Sequence, residues 1–446
     1  MNAASFGPDF LWGVGMSAPQ NEGAALEGGR GLSVWDVFSR RVTAIKGGAK
    51  PTVSCNFYHL YKNDLLLAKA LGFSSFRFSI SWSRLLPAGT GKVNQEGIRF
   101  YHNLLDECLL LGLTPVVTLY HWDLPQSLQK EGGWSNHQII KWFIRYVKLC
   151  IQEYSDKVKY WIIMNEPFAF TSLGYMTGFH APGKISVKGF YLAAHHVALA
   201  TAEASKTIRL LQPNACIGNS FSFSEIHPYY QNAQDVKAAE KGDLLLNRFF
   251  LEPALGMGFP YMESFPVIEK FHVFNRSWRF QEAMKCDLDF VGFQYYFPVT
   301  VRHNPLIPYL GASEVSAKRR KVPHTLLGWE INAESCGRML HRIAKYPGVT
   351  KIIITEGGCA EKEVVQEGRV ADPNRIHYCK HYLAAVLKAK NEGVPVDGYF
   401  AWTLTDNFEW TYGFTARFGL VRVDFDTQLR TVKDSGFWFR DFLNGR

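Results

Sequence analysis

Short apolar runs of strand length alternate along the chain with amphipathic stretches of helical period. Eight such runs are rich in Ile, Val, Phe, Tyr and Trp. Several are apolar throughout rather than alternating, which is the pattern of a strand covered on both faces. The predicted strands are Phe10–Ala18, Phe73–Ile80, Leu113–His121, Lys159–Glu166, Cys216–Phe223, Asp289–Tyr296, Lys351–Glu356 and Val396–Leu404.

Helical periodicity is clear in two stretches between these runs. The residues Ile98, Tyr101, Leu105, Cys108 and Leu109 fall on one stripe, and a second stripe extends from Ile140 to Ile151. Weaker helical stretches are predicted near His59–Leu71, Tyr191–Leu211, Val236–Phe250, Trp329–Ile343 and Arg375–Ala389.

Eight strands that alternate with helices predict a parallel sheet, and eight such units predict closure into an α/β fold, the (β/α)8 TIM barrel, with extended loops after the strands. A doubly wound open sheet is the alternative. Such a fold usually carries a glycine-rich phosphate turn between an early strand and a helix. The glycine-rich stretch Glu27–Gly31 has no such context, so we interpret it as a loop.

No change in composition and no Pro- or Ser-rich linker divides the 446 residues, so we expect one domain over residues 1–446. The least regular stretch is His303–His324, which is predicted to be a long loop between the sixth strand and the following helix. It carries the basic run Lys318–Lys321. Four charges without interleaved aromatic residues are typical of a solvated loop rather than of a nucleic-acid site.

Composition narrows the class of protein. With 47% hydrophobic and 20% charged residues, the chain can bury a large core. The formal charge of 49 − 40 = +9 specifies no partner. The eight cysteines form no CxxC pair, so free thiols in a reducing compartment are expected. We see no signal peptide and no apolar run of about 18 residues, so we expect a cytoplasmic protein without a membrane span.

Polar residues follow most of the predicted strands, at the end where a barrel of this type gathers its functional side chains. Glu166 and Glu356 close the fourth and seventh runs. Two facing carboxyl groups at a mouth lined with aromatic rings suggest glycoside hydrolysis. One acid then protonates the leaving oxygen, and the other carboxylate attacks the anomeric carbon or activates a water molecule. No HExxH, P-loop or GxSxG motif is present, and no metal or cofactor is expected.

Several longer motifs coincide with these strand ends. They are Phe10–Gly13, Gln20–Gly23, Ser33–Asp36, Phe76–Arg84, His121–Pro125, Met164–Pro167, Gly178–Gly183, Ile354–Gly358, Trp402–Trp410 and Arg417–Leu420. With them the chain closely resembles, nearly end to end, glycoside hydrolase family 1, the retaining β-glucosidase- and β-galactosidase-like enzymes.

The resemblance implies a role for each matching residue. Glu166 in Asn-Glu-Pro matches the general acid/base, and Glu356 in Thr-Glu matches the nucleophile. Arg77 and Tyr296 match the neighbours that hold the nucleophile. The residues expected to bind substrate are Gln20, His121, Asn165, Glu409 and Trp410 at the sugar hydroxyls, Tyr296 beside them, Trp402 under the sugar ring and Trp329 facing the aglycone.

Electrostatics predicts how the two glutamates divide the work. Arg77 near Glu356 would keep that carboxylate ionised, and Glu166, partly desolvated beside an anion, would stay protonated. A separation of about 5 Å between the carboxyl groups implies retention, whereas about 6.5–9.5 Å implies inversion.

The family also contains 6-phospho-glycosidases. Their characteristic pattern has a Ser, a Lys and a Tyr that together bind the phosphate. The matching residues here are Glu409, Ala416 and Phe418, so an unphosphorylated β-glucoside is predicted. The glutamate at position 166 argues against a myrosinase-like enzyme, in which that acid is Gln. The choice among glucose, galactose and fucose stays open, as do the aglycone and the oligomeric state.

Two residues depart from the family pattern. Gly357 stands where the family has Asn, and Gln294 stands where the family has the Asn of Asn-Tyr-Tyr. Glycine removes a hydrogen-bonding side chain, while Gln restores an amide on a longer arm. Three interpretations of the two changes stay open. They are partners in one altered hydrogen-bond network beside the nucleophile, or they mark an altered substrate specificity, or they mark a weakened activity. A catalytically inactive sugar-binding barrel and a transglycosidase are the alternative functions.

Overall fold

A computed structural model describes residues 1–261, 278–307 and 310–445. Its centre is a closed barrel of eight parallel strands, in which each strand pairs with the next and the last pairs with the first. The predicted TIM barrel is thereby confirmed. We number its strands in chain order: β1 Leu11–Gly15, β2 Ser75–Ser79, β3 Thr114–Tyr120, β4 Tyr160–Asn165, β5 Cys216–Phe223, β6 Phe290–Tyr295, β7 Ile352–Gly357 and β8 Val396–Trp402.

Helices follow the strands and cover the barrel. The longer ones are Phe57–Ala70, Gln95–Leu110, Ile139–Tyr154, Val187–Leu211, Ala233–Asp243, Ala333–Ala344, Pro373–Asn391 and Asp434–Leu443. Shorter helices are Ala18–Asn21, Val34–Phe38, Trp82–Leu85, Gln126–Lys130, Pro167–Thr171, Leu251–Ala254, Trp278–Met284 and Ala317–Arg320.

The helix Gln95–Leu110 illustrates how sequence determines the elements. It begins after Asn94, whose side chain accepts a hydrogen bond from the Glu96 backbone N–H. The predicted stripe is buried except at Leu109, which is 47% exposed. Leu104 is buried instead, because at four residues before Cys108 it lies on the face that contacts the barrel.

The region predicted as a long loop, His303–His324, contains regular structure. Strand Val299–His303 pairs in parallel with Ile226–Pro228 and antiparallel with Ala312–Glu314. The short helix Ala317–Arg320 follows. The loop prediction was wrong because strands of three residues show no periodicity, and residues 308–309 lie outside the described part of the chain.

The predicted helix Trp329–Ile343 begins later than expected, at Ala333. The Asn332 side chain accepts a hydrogen bond from the Ser335 backbone N–H and so starts the helix there. Trp329 consequently lies in the loop that precedes the helix. Among the described residues, no helix is both long and apolar enough to cross a bilayer.

Apolar side chains close the amino end of the barrel. They come from successive strands: Val116, Ile162, Cys216, Phe290, Ile353 and Phe400. Two glycines make room for the large rings, since a Cβ on Gly13 would lie 2.1 Å from the Phe400 ring and one on Gly218 would lie 2.2 Å from the Phe290 ring. Polar chemistry is therefore confined to the opposite, carboxyl end of the strands.

Candidate active site

A cavity of about 280 Å³ opens at the carboxyl end of the barrel strands. Glu166 and Glu356, which are 190 residues apart in sequence, both line it. The cavity also receives the predicted substrate residues His121, Tyr296, Trp329, Trp402, Glu409 and Trp410. A larger hollow of about 940 Å³ lies between outer helices, where its described lining is mainly apolar and basic. We place the chemistry in the smaller cavity because it holds the paired carboxyl groups.

Glu356 is held by two donors. The Arg77 guanidinium donates to Glu356 Oε1 at 2.7 Å, and the Tyr296 hydroxyl donates to Glu356 Oε2 at 2.7 Å. Arg77 also donates to the Thr355 carbonyl at 2.8 Å. Arg77 is completely buried in β2, so its charge acts on Glu356 with little screening.

Asn165 lies between the two glutamates. Its Oδ1 accepts hydrogen bonds from Arg77 at 2.6 Å and from Gln294 Nε2 at 2.7 Å. Its Nδ2 donates to Glu166 Oε2 at 3.4 Å and lies 3.1 Å from His121 Nε2. One buried amide thus connects both carboxyl groups, and Arg77 and Gln294 together orient its oxygen.

The backbone turns sharply at Glu166. This residue has φ +46°, a left-handed conformation that non-glycine residues seldom adopt. Pro167 then takes the first position of the helix Pro167–Thr171, where a missing N–H costs nothing. The turn directs the carboxyl group from the end of β4 into the cavity. Trp122 and Trp410 line the same cavity with φ +75° and +46°.

Burial and charge separate the two glutamates in protonation. Burial, followed by the negative charge of Glu356, raises the pKa of Glu166 to about 8. Burial raises the pKa of Glu356 as well, but Arg77 and the Tyr296 hydroxyl counteract this. Arg77 therefore lowers the pKa of Glu356, as expected from the sequence, although burial acts in the opposite direction. Because the guanidinium contacts only Glu356 of the pair, Glu356 ionises first and Glu166 keeps the proton.

A third carboxyl group lies in the same cavity. Glu409 Oε2 accepts a hydrogen bond from Gln20 Nε2 at 3.2 Å, and Ser17 Oγ donates to Gln20 Oε1 at 2.7 Å. Burial, with the charges of Glu356 and Glu166, raises the pKa of Glu409 to about 8. The Gln20 and Glu409 pair therefore offers both donors and acceptors to a hydroxylated ligand.

Aromatic rings form one side of the site. His121 lies nearly parallel to Trp402 and Trp410, with centroid distances of 5.8 and 6.0 Å. Burial lowers the pKa of His121 well below its usual value, so the ring is neutral. Flat apolar faces beside neutral hydrogen-bonding groups suit the C–H surface and hydroxyls of a sugar.

Trp329 belongs to a second aromatic cluster. Its ring lies 4.9 Å from Phe297, 5.5 Å from Tyr296 and 5.9 Å from Phe418. Phe297 was missed at the sequence level, where an aromatic residue after a strand indicates core packing as readily as a site. Other lining residues that sequence reasoning did not assign to the site are Trp122, Ala169, Leu173, His180, Thr411 and Tyr412. The sequence did contain a signal for two of them, since Trp122 lies in the motif His121–Pro125 and His180 lies in the motif Gly178–Gly183.

The departure at Gly357 has a visible packing partner. The Tyr399 hydroxyl donates to the Gly357 carbonyl at 3.0 Å, and a Cβ on Gly357 would lie 2.7 Å from that hydroxyl. Glycine at this position accommodates Tyr399 in the arrangement seen here. In the described part of the chain, no group of three or more His, Cys, Asp or Glu side chains is placed to hold a metal ion.

Comparison with known proteins agrees with this geometry. The sequence matches the family model described as glycosyl hydrolase family 1 over residues 2–446. It is 39% identical to β-glucosidase A of Thermotoga maritima over 452 residues, covering 99% of this chain and 98% of that protein. It is 38% identical to 1,4-β-D-glucan glucohydrolase of Thermotoga neapolitana, with 98% of each chain covered. The structure of Thermotoga maritima β-glucosidase in complex with glucoimidazole is 38% identical, superimposes with a TM-score of 0.92 and covers 98% of each chain.

Proposed function

The chain belongs to glycosyl hydrolase family 1 and is a glycosyl hydrolase, and from this premise we propose that it hydrolyses unphosphorylated β-glucosides by a retaining double displacement. The observation that carries the proposal is the unequal environment of two buried carboxyl groups in one cavity. Glu356 has an arginine at 2.7 Å, whereas Glu166 has none among its described partners.

In the proposed first step, Glu356 attacks the anomeric carbon and Glu166 donates its proton to the leaving oxygen. Arg77 and Tyr296 keep the Glu356 carboxylate ionised and oriented before the attack. We assign to the Asn165 amide a hydrogen bond to the sugar 2-hydroxyl, a contact that strengthens in the transition state. Bond formation to Glu356 and cleavage of the glycosidic bond leave a glycosyl ester and a neutral aglycone alcohol.

In the second step, the ester no longer carries the charge of Glu356. Because that charge contributes to the raised pKa of Glu166, esterification favours the ionised form of Glu166. Glu166 then takes a proton from water, and the resulting oxygen attacks the anomeric carbon. The ester breaks, and the sugar leaves with its original β configuration.

The identity of the sugar is proposed from Gln20 and Glu409. At the positions where the 6-phospho-glycosidases carry Ser, Lys and Tyr, this chain has Glu409, Ala416 and Phe418. The lysine that would pair with a phosphate on the sugar 6-position is therefore missing, which supports an unphosphorylated substrate. The names of the two Thermotoga relatives favour glucosides. We propose β-galactosides and β-fucosides as secondary substrates, because Gln20 and Glu409 can form hydrogen bonds with the hydroxyl groups of several sugar epimers.

The decisive experiment compares Glu166→Gln with Glu356→Gln on two aryl β-glucosides. We expect Glu356→Gln to lose at least about a thousandfold in kcat on both substrates. Glu166→Gln should retain a fast first step on 2,4-dinitrophenyl β-glucoside, whose leaving group needs no proton, and should lose activity on phenyl β-glucoside. β-Glucose should be the first product seen by NMR.

Equal losses for both variants on both substrates, or α-glucose as first product, would contradict the assignment. Sugar binding without turnover would instead support an inactive sugar-binding barrel. Transfer of glucose to an added alcohol in place of water would support a transglycosidase. Glucoside 6-phosphates and β-galactosides complete the substrate panel.

The organisation of the chain belongs to the same proposal. We propose that residues 1–446 form one domain and act in the cytoplasm on a small β-glycoside. All eight cysteines are free thiols and seven of them are buried, which supports a reducing compartment.

A further inference from the structure

We propose that the exposed face of the helix Pro373–Asn391 carries an exchangeable binding site for a divalent transition-metal ion, formed by His377 and His381. Neither histidine lines the cavity that holds Glu166 and Glu356. The site therefore takes no part in the proposed hydrolysis, and its ion is a surface ligand rather than a cofactor of the reaction.

The two histidines lie one helical turn apart. Residues four positions apart in an α-helix share one face, and both of these side chains are exposed. Their ring centroids are 4.0 Å apart, with the ring planes inclined by 40°. Two imidazole nitrogens that each bind one ion at about 2.0–2.1 Å are at most about 4.2 Å apart. The helix thus holds the two rings at a separation that fits coordination of a single ion.

A backbone hydrogen bond prepares His381 as a ligand. Its Nδ1 lies 2.7 Å from the backbone carbonyl oxygen of His377. Because a carbonyl oxygen can only accept, Nδ1 carries the proton and donates, and the lone pair on Nε2 of the neutral ring is left free. Histidines that bind metals characteristically donate their second ring N–H to such an acceptor, which fixes both the tautomer and the direction of the ring. His381 therefore has the tautomer of a metal ligand.

A third histidine nearby shows the contrast. His341 lines the same hollow as His381, but its Nε2 lies 2.8 Å from Glu392 Oε2 and is engaged by that carboxylate. Within the described residues, no hydrogen bond engages the ring nitrogens of His377, whose backbone carbonyl holds His381. His377 and His381 are therefore the pair that offers free nitrogens to an ion.

The surroundings leave room for an ion and its water ligands. A hollow of about 480 Å³ lies between the helices Ala333–Ala344 and Pro373–Asn391, and His381 lines it. Its described lining contains two acidic and two basic side chains, Glu334, Glu392, Arg338 and Lys388. Lys380, which is exposed one residue before His381, adds a further positive charge. This charge balance does not favour cations in general, so binding depends on the imidazole nitrogens.

The two ligands determine the class of ion. Imidazole nitrogen suits Cu²⁺, Ni²⁺ and Zn²⁺, whereas Mg²⁺ and Ca²⁺ prefer oxygen ligands. Catalytic and structural zinc sites use three or four protein ligands. With two protein ligands, water completes the coordination, so the ion exchanges readily with the solvent.

The first test is calorimetric titration of the untagged enzyme with NiCl2. We expect one equivalent of Ni²⁺ to bind, and His377→Gln and His381→Gln each to lower the affinity at least about tenfold, because either change leaves a single imidazole. His303→Gln alters an exposed histidine on the strand Val299–His303 and is the matched control, with unchanged affinity. Unchanged affinity in the double variant His377→Gln/His381→Gln would overturn the proposal. Absence of binding to the unaltered enzyme up to about 1 mM Ni²⁺ would overturn it as well.

Electron paramagnetic resonance with one equivalent of CuCl2 counts the ligands directly. The unaltered enzyme should show coupling of Cu²⁺ to two imidazole rings, and each single variant should show coupling to one. Coupling to only one ring in the unaltered enzyme would contradict the shared site. Because both side chains are exposed, the double variant should keep the circular dichroism spectrum of the unaltered enzyme, so a loss of metal binding does not reflect unfolding.

Discussion

At the scale of single residues, the surroundings of the two glutamates favour the protonated form of Glu166 and the ionised form of Glu356. Glu166 has a pKa of about 8 because it is buried and lies near Glu356, and it lacks the arginine that Glu356 has. A carboxyl group with a raised pKa favours the folded state only while it is protonated. The same arrangement that suits Glu166 to its proposed role as the acid therefore carries a cost in stability at alkaline pH.

Replacement of Glu166 by Gln should remove that cost. The pKa of Glu166 rises from about 4.5 in the unfolded chain to about 8 in the folded enzyme, so the folded state loses stability as the pH increases between these values. We expect the Tm of Glu166→Gln to exceed that of the unaltered enzyme by several degrees near pH 8.5, and this difference to shrink toward pH 5. Thermal unfolding across this pH range measures it.

The control for this prediction is Glu203→Gln, which alters an exposed glutamate on the helix Val187–Leu211. The difference in Tm between Glu203→Gln and the unaltered enzyme should not vary with pH. A Tm difference for Glu166→Gln that stays constant from acid to alkaline pH would show that Glu166 is not held protonated by its surroundings.

The sequence allowed some residues of the site to be predicted better than others. Glu166, Glu356 and Arg77 could be placed together because parallel strands bring their ends to one face of the barrel. Phe297 and Leu173 could not, since an apolar residue beside a strand or on a helix has the same pattern whether it packs in the core or faces a ligand. Their roles depend on the angle between elements, which periodicity does not encode.

At the scale of elements, a buried charge network fixes the segment that carries Glu409. The Lys433 ammonium, between the strand Arg430–Val432 and the C-terminal helix, donates to Asp406 at 2.7 Å and also contacts Glu363. Asp406 lies between β8 and Glu409, and it accepts from Arg417 at 2.7 Å. The network thus ties the end of the chain to the segment that we propose binds the sugar.

Lys433→Met should disturb both stability and substrate binding. It leaves Asp406 and Glu363 with fewer cations in a buried site, and we expect a loss of about 3 kcal/mol in the free energy of unfolding. Because Glu409 follows Asp406 by three residues, KM for an aryl β-glucoside should rise severalfold. Urea denaturation and steady-state kinetics measure the two effects.

Lys351→Met is the matched control, because Lys351 forms a partly exposed pair with Asp397 at 3.7 Å. Such a pair contributes about 0–1 kcal/mol, and KM should not change. If Lys433→Met lowered stability with no effect on KM, the network would be purely structural and would not position the proposed sugar-binding segment.

The elements themselves were predicted unevenly. All eight barrel strands coincide with apolar runs, since a strand buried on both faces leaves a strong signal. The small sheet formed by Ile226–Pro228, Val299–His303 and Ala312–Glu314 was not predicted, and the last of these strands lies within the stretch that was interpreted as a loop. Such short strands show too little periodicity to be recognised in the sequence.

At the scale of the whole molecule, the first and last barrel strands must meet for the site to form. Gly13 of β1 lies opposite Phe400 of β8 in the register of this seam. The Phe400 ring occupies the space in which a side chain at position 13 would stand. Arg77 on β2 and Trp402 on β8 flank the seam, so closure brings parts of the site together from both ends of the chain.

Complementary substitutions should reveal this seam as a shared packing site. Gly13→Ala alone overpacks the barrel against Phe400 and should cost about 1–3 kcal/mol in the free energy of unfolding. Phe400→Ala alone leaves a cavity and should cost about 3–5 kcal/mol. In the double variant the added methyl enters that cavity, so its cost should be at least about 1 kcal/mol smaller than the sum of the two single costs.

Urea denaturation of the unaltered enzyme, the two single variants and the double variant measures this coupling. Leu429→Ala, at a side chain that is 65% exposed, is the control and should show no coupling with Gly13→Ala. Strictly additive costs at Gly13 and Phe400 would mean that the barrel closes without contact between these two positions.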